Sequence, residues 1–491
     1  MSEQEKFAIG GAKGALVEQL CKMSNRHGLI AGATGTGKTV TLQILAESFS
    51  RLGVPVFSAD IKGDLSGLGR AGSAHPKIDE RLLKIPLESY QQRPYPVVFW
   101  DVFGEHGHPI RSTISEMGPL LLSNLLGLNE TQSGILYGCF KIADDQGLLL
   151  LDLKDLRSML TWMSDNAKGL RSEYGNISGS SIGAIQRRLL VLEEQGAENF
   201  FGEPAVKLKD LMQVDFSGNG VISIFDATKL MVQAPKVYSS FLLWLLSELF
   251  EQLPEIGDPD KPKLVLFFDE AHLLFDQAPK ILVDKIEQVV RLIRSKGVGI
   301  YFITQSPLDI PEDILGQLGL KIQHALRAFT PRDRKVIKSA AQSFPPNPEF
   351  DTETSITALG IGEALVSVLD GKGRPQPVQY TLIRPPESRI GALTEKDRQD
   401  RIERSPYTGR YDNVVDRESA YEILKDRAKE IQAQQVQVKN QKIKEKSKRS
   451  GGKKRQSTGE AFIKSAARAI GSQVGRQIIR GIMGSFFGGR R

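Results

Sequence analysis

The 491-residue sequence predicts an α/β fold, a doubly wound parallel sheet with a helical insertion and a basic helical C-terminal tail. Three observations predict it. Short, continuously apolar runs alternate with helical stretches through the first 385 residues, as in strands covered on both faces. That alternation lapses between residues 110 and 215, where helices and polar loops replace it. Beyond Pro385-Pro386 the apolar runs give way to charged, Gln- and Lys-rich sequence.

Taken in order, residues 1–109 form the first part of the core. Runs 27–31 (HGLIA) and 54–60 (VPVFSAD) flank one helix as a β-α-β unit, and 97–102 (VVFWDV) is a third strand. Residues 110–215 are the helical insertion, which includes the Gly/Ser-rich EYGNISGSSIG. Residues 216–385 return to strands at 221–225 (VISIF), 264–268 (LVLFF), 298–304 (VGIYFIT) and 321–326 (KIQHAL). Runs 364–369 and 378–383, joined by DGKGRPQP, close this part as a hairpin. Residues 386–450 are a charged helical extension, and 451–491 a linker and basic amphipathic tail. In that tail Ile463, Ala466, Ala467, Ile470, Val474 and Ile478 fall near one helical face. Lys464, Arg468, Arg476 and Arg480 fall on the other, while Ile479 and Ile482 depart from the pattern.

Composition sets the class. Forty per cent hydrophobic and 25% charged residues are globular values. Residues 421–491 hold 18 Lys/Arg against 5 Asp/Glu, or +13, so the first 420 carry −6 of the total +7. Any electrostatic case for nucleic-acid binding therefore rests on the tail. Cys21 and Cys139 lie far apart, which excludes a disulfide framework and suits a reducing cytosol. There is no signal-peptide pattern, and the longest apolar stretch, 241–250 (FLLWLLSELF), is too short to span a bilayer. The expectation is a cytoplasmic protein with no transmembrane segment.

The strongest motif is GATGTGKT, residues 32–39, between an expected strand and an expected helix. Gly32, Gly35 and Gly37 allow backbone angles and close approaches that a Cβ would block, so amides of the loop can wrap phosphate oxygens. Gly32, Ala33, Thr34, Gly35, Thr36, Gly37, Lys38, Thr39 and Val40 are the candidate nucleotide-binding residues. Lys38 is placed to reach the β/γ-phosphates and Thr39 to offer its hydroxyl to Mg²⁺.

The second motif is LVLFFDEAH, residues 264–272. Its buried strand would deliver Asp269 to Mg²⁺ and Glu270 to the attacking water, pointing to hydrolysis rather than binding only. The competing reading is an acidic pair opening a helix, favoured by the helix dipole. Thr304-Gln305 end the next strand, where Gln305 is either a γ-phosphate sensor or an amide completing a strand end. In ADIKGDLSG, residues 59–67, Asp60, Lys62 and Asp64 leave the second strand at the sheet's ligand edge. They either touch the catalytic water or a neighbouring subunit, or belong to a solvated loop. A ring ATPase also needs an arginine finger. Arg327 is the first choice because it directly follows a core strand, with Arg291, Arg294, Arg332 and Arg334 behind it.

GATGTGKT, ADIKGDLSG, LVLFFDEAH and YFITQSP occur in the order seen in the HerA/FtsK superfamily of ring-forming DNA-pumping ATPases, which residues 5–385 resemble. The tail SAARAIGSQVGRQIIRGIMGSFFGG resembles that of the bacterial YjgR-like group within it. The resemblance implies a RecA-like P-loop NTPase core of the ASCE type, with ATP and Mg²⁺ as cofactors. It gives Lys38 and Thr39 the nucleotide and metal roles, Asp269 the metal acid, Glu270 the catalytic base and Gln305 the sensor. It also implies a hexamer with ATP sites between subunits and DNA in the central channel. HerA proper carries a β-barrel ahead of its core, whereas 31 residues precede Gly32 here, so a nuclease partner does not carry over with it.

Two other classes compete. DEAH-box helicases share the DEAH letters, but the Gln473, Gly475, Arg476 and Arg480 set has the wrong spacing for their late motif. The 231 residues from Lys38 to Asp269 also exceed their usual separation. The stronger rival is an ATPase that remodels or regulates a protein or membrane-associated partner, which the acidic body favours. The tail itself suits DNA phosphates, an anionic lipid surface, another subunit, or no partner.

Overall fold

The computed structural model describes residues 5–276 and 280–449. Its strands are β1 (Lys6–Ala12), β2 (Ala15–Leu20), β3 (Gly28–Ala31), β4 (Val56–Asp60), β5 (Val97–Asp101), β6 (His108–Pro109), β7 (Ile222–Asp226), β8 (Leu264–Phe268), β9 (Val298–Thr304), β10 (Leu320–Gln323), β11 (Glu363–Ser367) and β12 (Gln379–Ile383). They form one sheet ordered β2-β1-β12-β11-β10-β3-β9-β8-β4-β7-β5-β6. From β10 to β6 every pairing is parallel, and β10-β11-β12-β1-β2 continue antiparallel.

The central strands are buried at every position because both faces are covered. Alternate side chains go to opposite sides. Leu264, Leu266 and Phe268 enter the core that also holds helix Pro235–Gln252 and the insertion. Val265 and Phe267 enter the core beneath helix Lys38–Arg51. Between β6 and β7 come helices Ile114–Leu125, Glu130–Gln146, Leu153–Asp165, Ala167–Tyr174 and Gly179–Glu194, all but the short fourth lending buried residues to the first core. The fold is the doubly wound α/β class expected from the sequence.

The hairpin β1–β2 extends the sheet beyond what the apolar runs indicate. Its two-residue loop, Lys13-Gly14, has φ 51° and 80°, so both residues occupy the left-handed region of a type I′ turn. Gly10 is needed where β1 crosses β12, since a Cβ there would sit 2.1 Å from the Leu382 carbonyl oxygen.

The chain divides into two compact units, residues 1–424 and 425–491. In the first, residues 386–424 close onto the core. Tyr407 and Tyr411 pack against Trp100 at centroid distances of 5.4 and 5.3 Å, and Arg398 pairs with the buried Asp226. The described part of the second unit is the continuation of helix Ala420–Arg449, which is exposed at almost every described position. The expected tail, 451–491, lies outside the described residues. Among the described residues no helix is long and apolar enough to cross a membrane, and Cys21 and Cys139 are free and buried.

Candidate nucleotide site

Strand β9 lies between β3 and β8, and this order assembles the site. The loop after β3 carries GATGTGKT, the end of β8 carries the acid pair, and Thr304-Gln305 end the strand between them. The loop is held by its backbone. Gly32 N–H donates to Thr304 O (3.3 Å), Ala33 N–H to Ala325 O (2.9 Å), and Gly362 N–H to Thr36 O (3.0 Å). Gly32 has φ 152° and no room for a side chain, since a Cβ would meet the His324 Cβ at 2.5 Å. Gly35 and Gly37, at φ 77° and 118°, take angles that L-residues rarely adopt.

Helix Lys38–Arg51 begins with no side chain capping it, so its first amides face the loop. Such a helix start favours an anion. Lys38 is buried and folds back on the loop, donating to Gly32 O and Ala33 O, the latter at 3.1 Å. Burial pushes its pKa down, the nearby Lys62 adds to this, and Glu270 and Asp269 oppose it. Thr36 is buried and donates its hydroxyl to Ala33 O (2.7 Å), while Ala33, Thr39 and Val40 are half-buried and Thr34 is exposed.

At the end of β8, Asp269 and Glu270 are both buried. Burial pushes the Asp269 carboxyl up to about 6, with Lys62 opposing and Glu270 reinforcing the shift. Its Oδ1 accepts the Glu270 N–H (2.9 Å), and Tyr238 O–H donates to its backbone carbonyl (3.1 Å). Glu270 has φ 47°, rare for a non-glycine residue and typical of strained functional positions. Its Oε1 lies 3.1 Å from Lys62 Nζ, while its Oε2 is 3.5 Å from both Gln305 Nε2 and His272 Nδ1. Lys38, Lys62, Asp269, Glu270 and Gln305 are thus brought into one charged cluster. Arg327 is not part of it: its guanidinium donates to Thr357 O (2.9 Å) from an exposed position.

The Thr39 hydroxyl and the Asp269 carboxylate are hard oxygen donors of the kind Mg²⁺ takes, with the rest of its shell from phosphates and water. Among the described residues no cluster of three or more His, Cys, Asp or Glu could hold a metal ion.

The pattern of the helicase HerA-like C-terminal family matches residues 6–491. The chain belongs to this family. It is 28% identical over 123 residues to the DNA double-strand break repair helicase HerA of Pyrococcus furiosus, covering 25% of this chain and 20% of that one. A probable helicase of Methanocaldococcus jannaschii is 30% identical over 142 residues, 27% of this chain and 25% of its own. The chain thus aligns with a quarter or less of the length of these curated relatives. Among solved structures, VirB4 of Thermoanaerobacter pseudethanolicus has the same fold, with a TM-score of 0.52, 16% identity, and coverage of 78% of this chain and 97% of that one.

Two residues of this HerA-like chain escaped the sequence reading. His324 is buried behind the phosphate loop, where its Nδ1 lies 3.0 Å from Glu363 O and its Nε2 2.8 Å from Thr41 Oγ1. A carbonyl partner requires Nδ1–H, and in the neutral ring Nε2 then accepts from the threonine. Burial agrees, pushing its pKa down to about 4. The available signal was a histidine inside the core strand run KIQHAL. Tyr238, inside an apolar helix, gave no signal of its bond to Asp269.

Proposed function

We propose that this chain hydrolyses ATP with Mg²⁺ and uses the energy as a HerA-type motor on DNA. The observation that carries hydrolysis is the buried acid pair of β8 beside the lysine of the phosphate loop. In this reading the loop amides and Lys38 hold the β- and γ-phosphates, and Thr39 and Asp269 hold Mg²⁺, which neutralises charge on the phosphates. Glu270 takes a proton from water as its oxygen attacks the γ-phosphorus. The bond to the β–γ bridging oxygen breaks, leaving ADP and phosphate. Gln305, touching Glu270, orients the water or senses the γ-phosphate.

Family membership supports a DNA substrate and a hexameric ring with ATP between subunits, in the cytoplasm. The tail sequence supports the YjgR-like group within the family. For the trans-acting arginine, Arg327 is held by a backbone carbonyl and Arg294 by Asp258 (3.2 Å), and Arg291 and Arg294 line a cleft of about 460 Å³ with Arg26 and Lys321. Alanine substitution of each in turn, read as loss of turnover with retained nucleotide binding, identifies the finger.

ATPase activity with and without single-stranded and duplex DNA, measured beside native mass, tests the motor. Stimulation by DNA in a hexamer is the expected result. Turnover indifferent to DNA favours the second reading, an ATPase acting on a protein or membrane-associated partner, which the −6 charge of the first 420 residues supports.

A further inference from the structure

The loop after β4 is rigid at its root. Asp60 accepts the N–H groups of Gly63 (2.7 Å) and Leu65 (3.0 Å), and Gly63 turns the chain at φ 72°. Strand β4 pairs with β8, in register at Ser58 and Phe267, so the loop is fixed beside the acid pair. From this root the lysine stem carries Nζ to 3.1 Å from Glu270 Oε1 and 3.9 Å from Asp269 Oδ2. The Lys62 side chain is 37% exposed and that of Glu270 11%, so one partner reaches solvent and the other is enclosed.

The two carboxylate oxygens of Glu270 have different partners. Oε2 faces the neutral Gln305 amide and the His272 ring, and Oε1 faces the ammonium. While Oε1 accepts from this ammonium, that oxygen is occupied and not open to a water. A general base so paired is restrained. The same ammonium also faces Asp269 Oδ2, at 3.9 Å. A lysine ammonium on a flexible four-carbon stem readily exchanges one anionic partner for another.

We propose that Lys62 is a positioning residue that couples occupancy of the γ-phosphate position to Glu270. Without a γ-phosphate, Lys62 pairs with Glu270 and restrains it. With one, Lys62 transfers to the γ-phosphate oxygens, and Glu270 Oε1 becomes free to accept the proton of water. ADP lacks the group that draws Lys62 away, so the pair persists in the product state. The inference rests on the ATP-hydrolysis reading above and adds to it a residue that distinguishes triphosphate from diphosphate.

The experiment is titration calorimetry on the full chain with Mg²⁺ and either ADP or the non-hydrolysable imido analogue of ATP. Lys62→Met should lose about tenfold in affinity for the analogue, the worth of one charge-assisted contact, with ADP affinity within about twofold of wild type. Lys62→Arg, which keeps the charge, should retain both affinities. A wild-type analogue-to-ADP ratio in Lys62→Met overturns the proposal. If thermal melting finds the methionine variant unfolded, Lys62→Gln gives the same reading. Lys38→Ala, titrated in parallel, separates the two levels. Analogue binding as tight as wild type in that variant removes the nucleotide reading itself. Lost binding there, with an unchanged ratio in the Lys62 variants, removes only the role of Lys62.

Discussion

At the first residue of helix Lys38–Arg51, Lys38 sits among loop carbonyls and a neighbouring acid pair; further along, Glu47 faces the opposite way into the protein. Glu47 is fully buried and saturated with partners. Its Oε1 accepts the N–H (2.9 Å) and O–H (2.6 Å) of Ser388, and its Oε2 accepts Glu387 N–H (3.1 Å) and the Arg384 guanidinium (3.4 Å). Arg384 in turn donates to Ile44 O, Ser48 Oγ and Ala8 O. At the phosphate end the ion pairs, at 3.1 and 3.9 Å, are made by one half-exposed lysine. Both regions hold charge near the same helix. One is satisfied from every side and locks residues 384–388 to the core; the other is held by fewer contacts, one partner of which reaches solvent.

Breaking each region should therefore affect a different quantity. Glu47→Ala leaves the Arg384 guanidinium buried without its counter-charge, and should cost about 3–5 kcal/mol of stability in urea denaturation. A loss below about 1 kcal/mol there would erase the contrast between the regions. Glu270→Gln should keep nucleotide affinity and lower turnover by about a hundredfold or more, with no loss of stability. Normal turnover in that variant would remove Glu270 as the base.

The buried histidine behind the loop provides a test by pH. His324 is held at about 4 in the folded chain, against 6.5 ordinarily, so between these values the unfolded chain binds the proton and the folded chain does not. Stability is then present above about pH 6.5 and lost as pH falls toward 4. His27, held down to about 4 by burial, adds in the same direction. The raised carboxyls of Asp269 and Asp60 act in the opposite direction over the same range, so the test is the comparison with His324→Asn. In denaturation of that variant, the stability gained from pH 5 to pH 7 should be smaller than in wild type by about 1–2 kcal/mol. The smallest effect belongs to Gln305→Ala. Its 3.5 Å contact with Glu270 is at the limit of a hydrogen bond, so turnover should fall by about tenfold or less, with stability unchanged.

Residues close in sequence were legible; residues joined by folding were not. GATGTGKT carries its own angles in its glycines and its own anion site in the helix start that follows. LVLFF carries its burial in continuous apolarity, so the position of Asp269 at a strand end could be read directly. The β1–β2 hairpin was missed because Lys13-Gly14 is a weaker turn signal than Asn-Gly or Asp-Gly. Residues 386–424 read as charged extension, yet Tyr407 and Tyr411 dock on Trp100, some 300 positions earlier in the chain. For Lys62 the sequence left contact with the catalytic water or a neighbouring subunit and a place in a solvated loop both open, because its partner, Glu270, is 208 residues away.

By itself the sequence determined the fold class, and it named the phosphate loop and the acid pair as candidates. These depend on local backbone freedom and on the spacing of apolar residues, both of which are written in consecutive positions. Tertiary structure decided which charges meet. The order β3-β9-β8-β4 brings the loop lysine, the strand-end glutamine, the acid pair and Lys62 into one cluster. Electrostatic partners depend on distances of a few ångströms in space, and only the pairing of strands sets those.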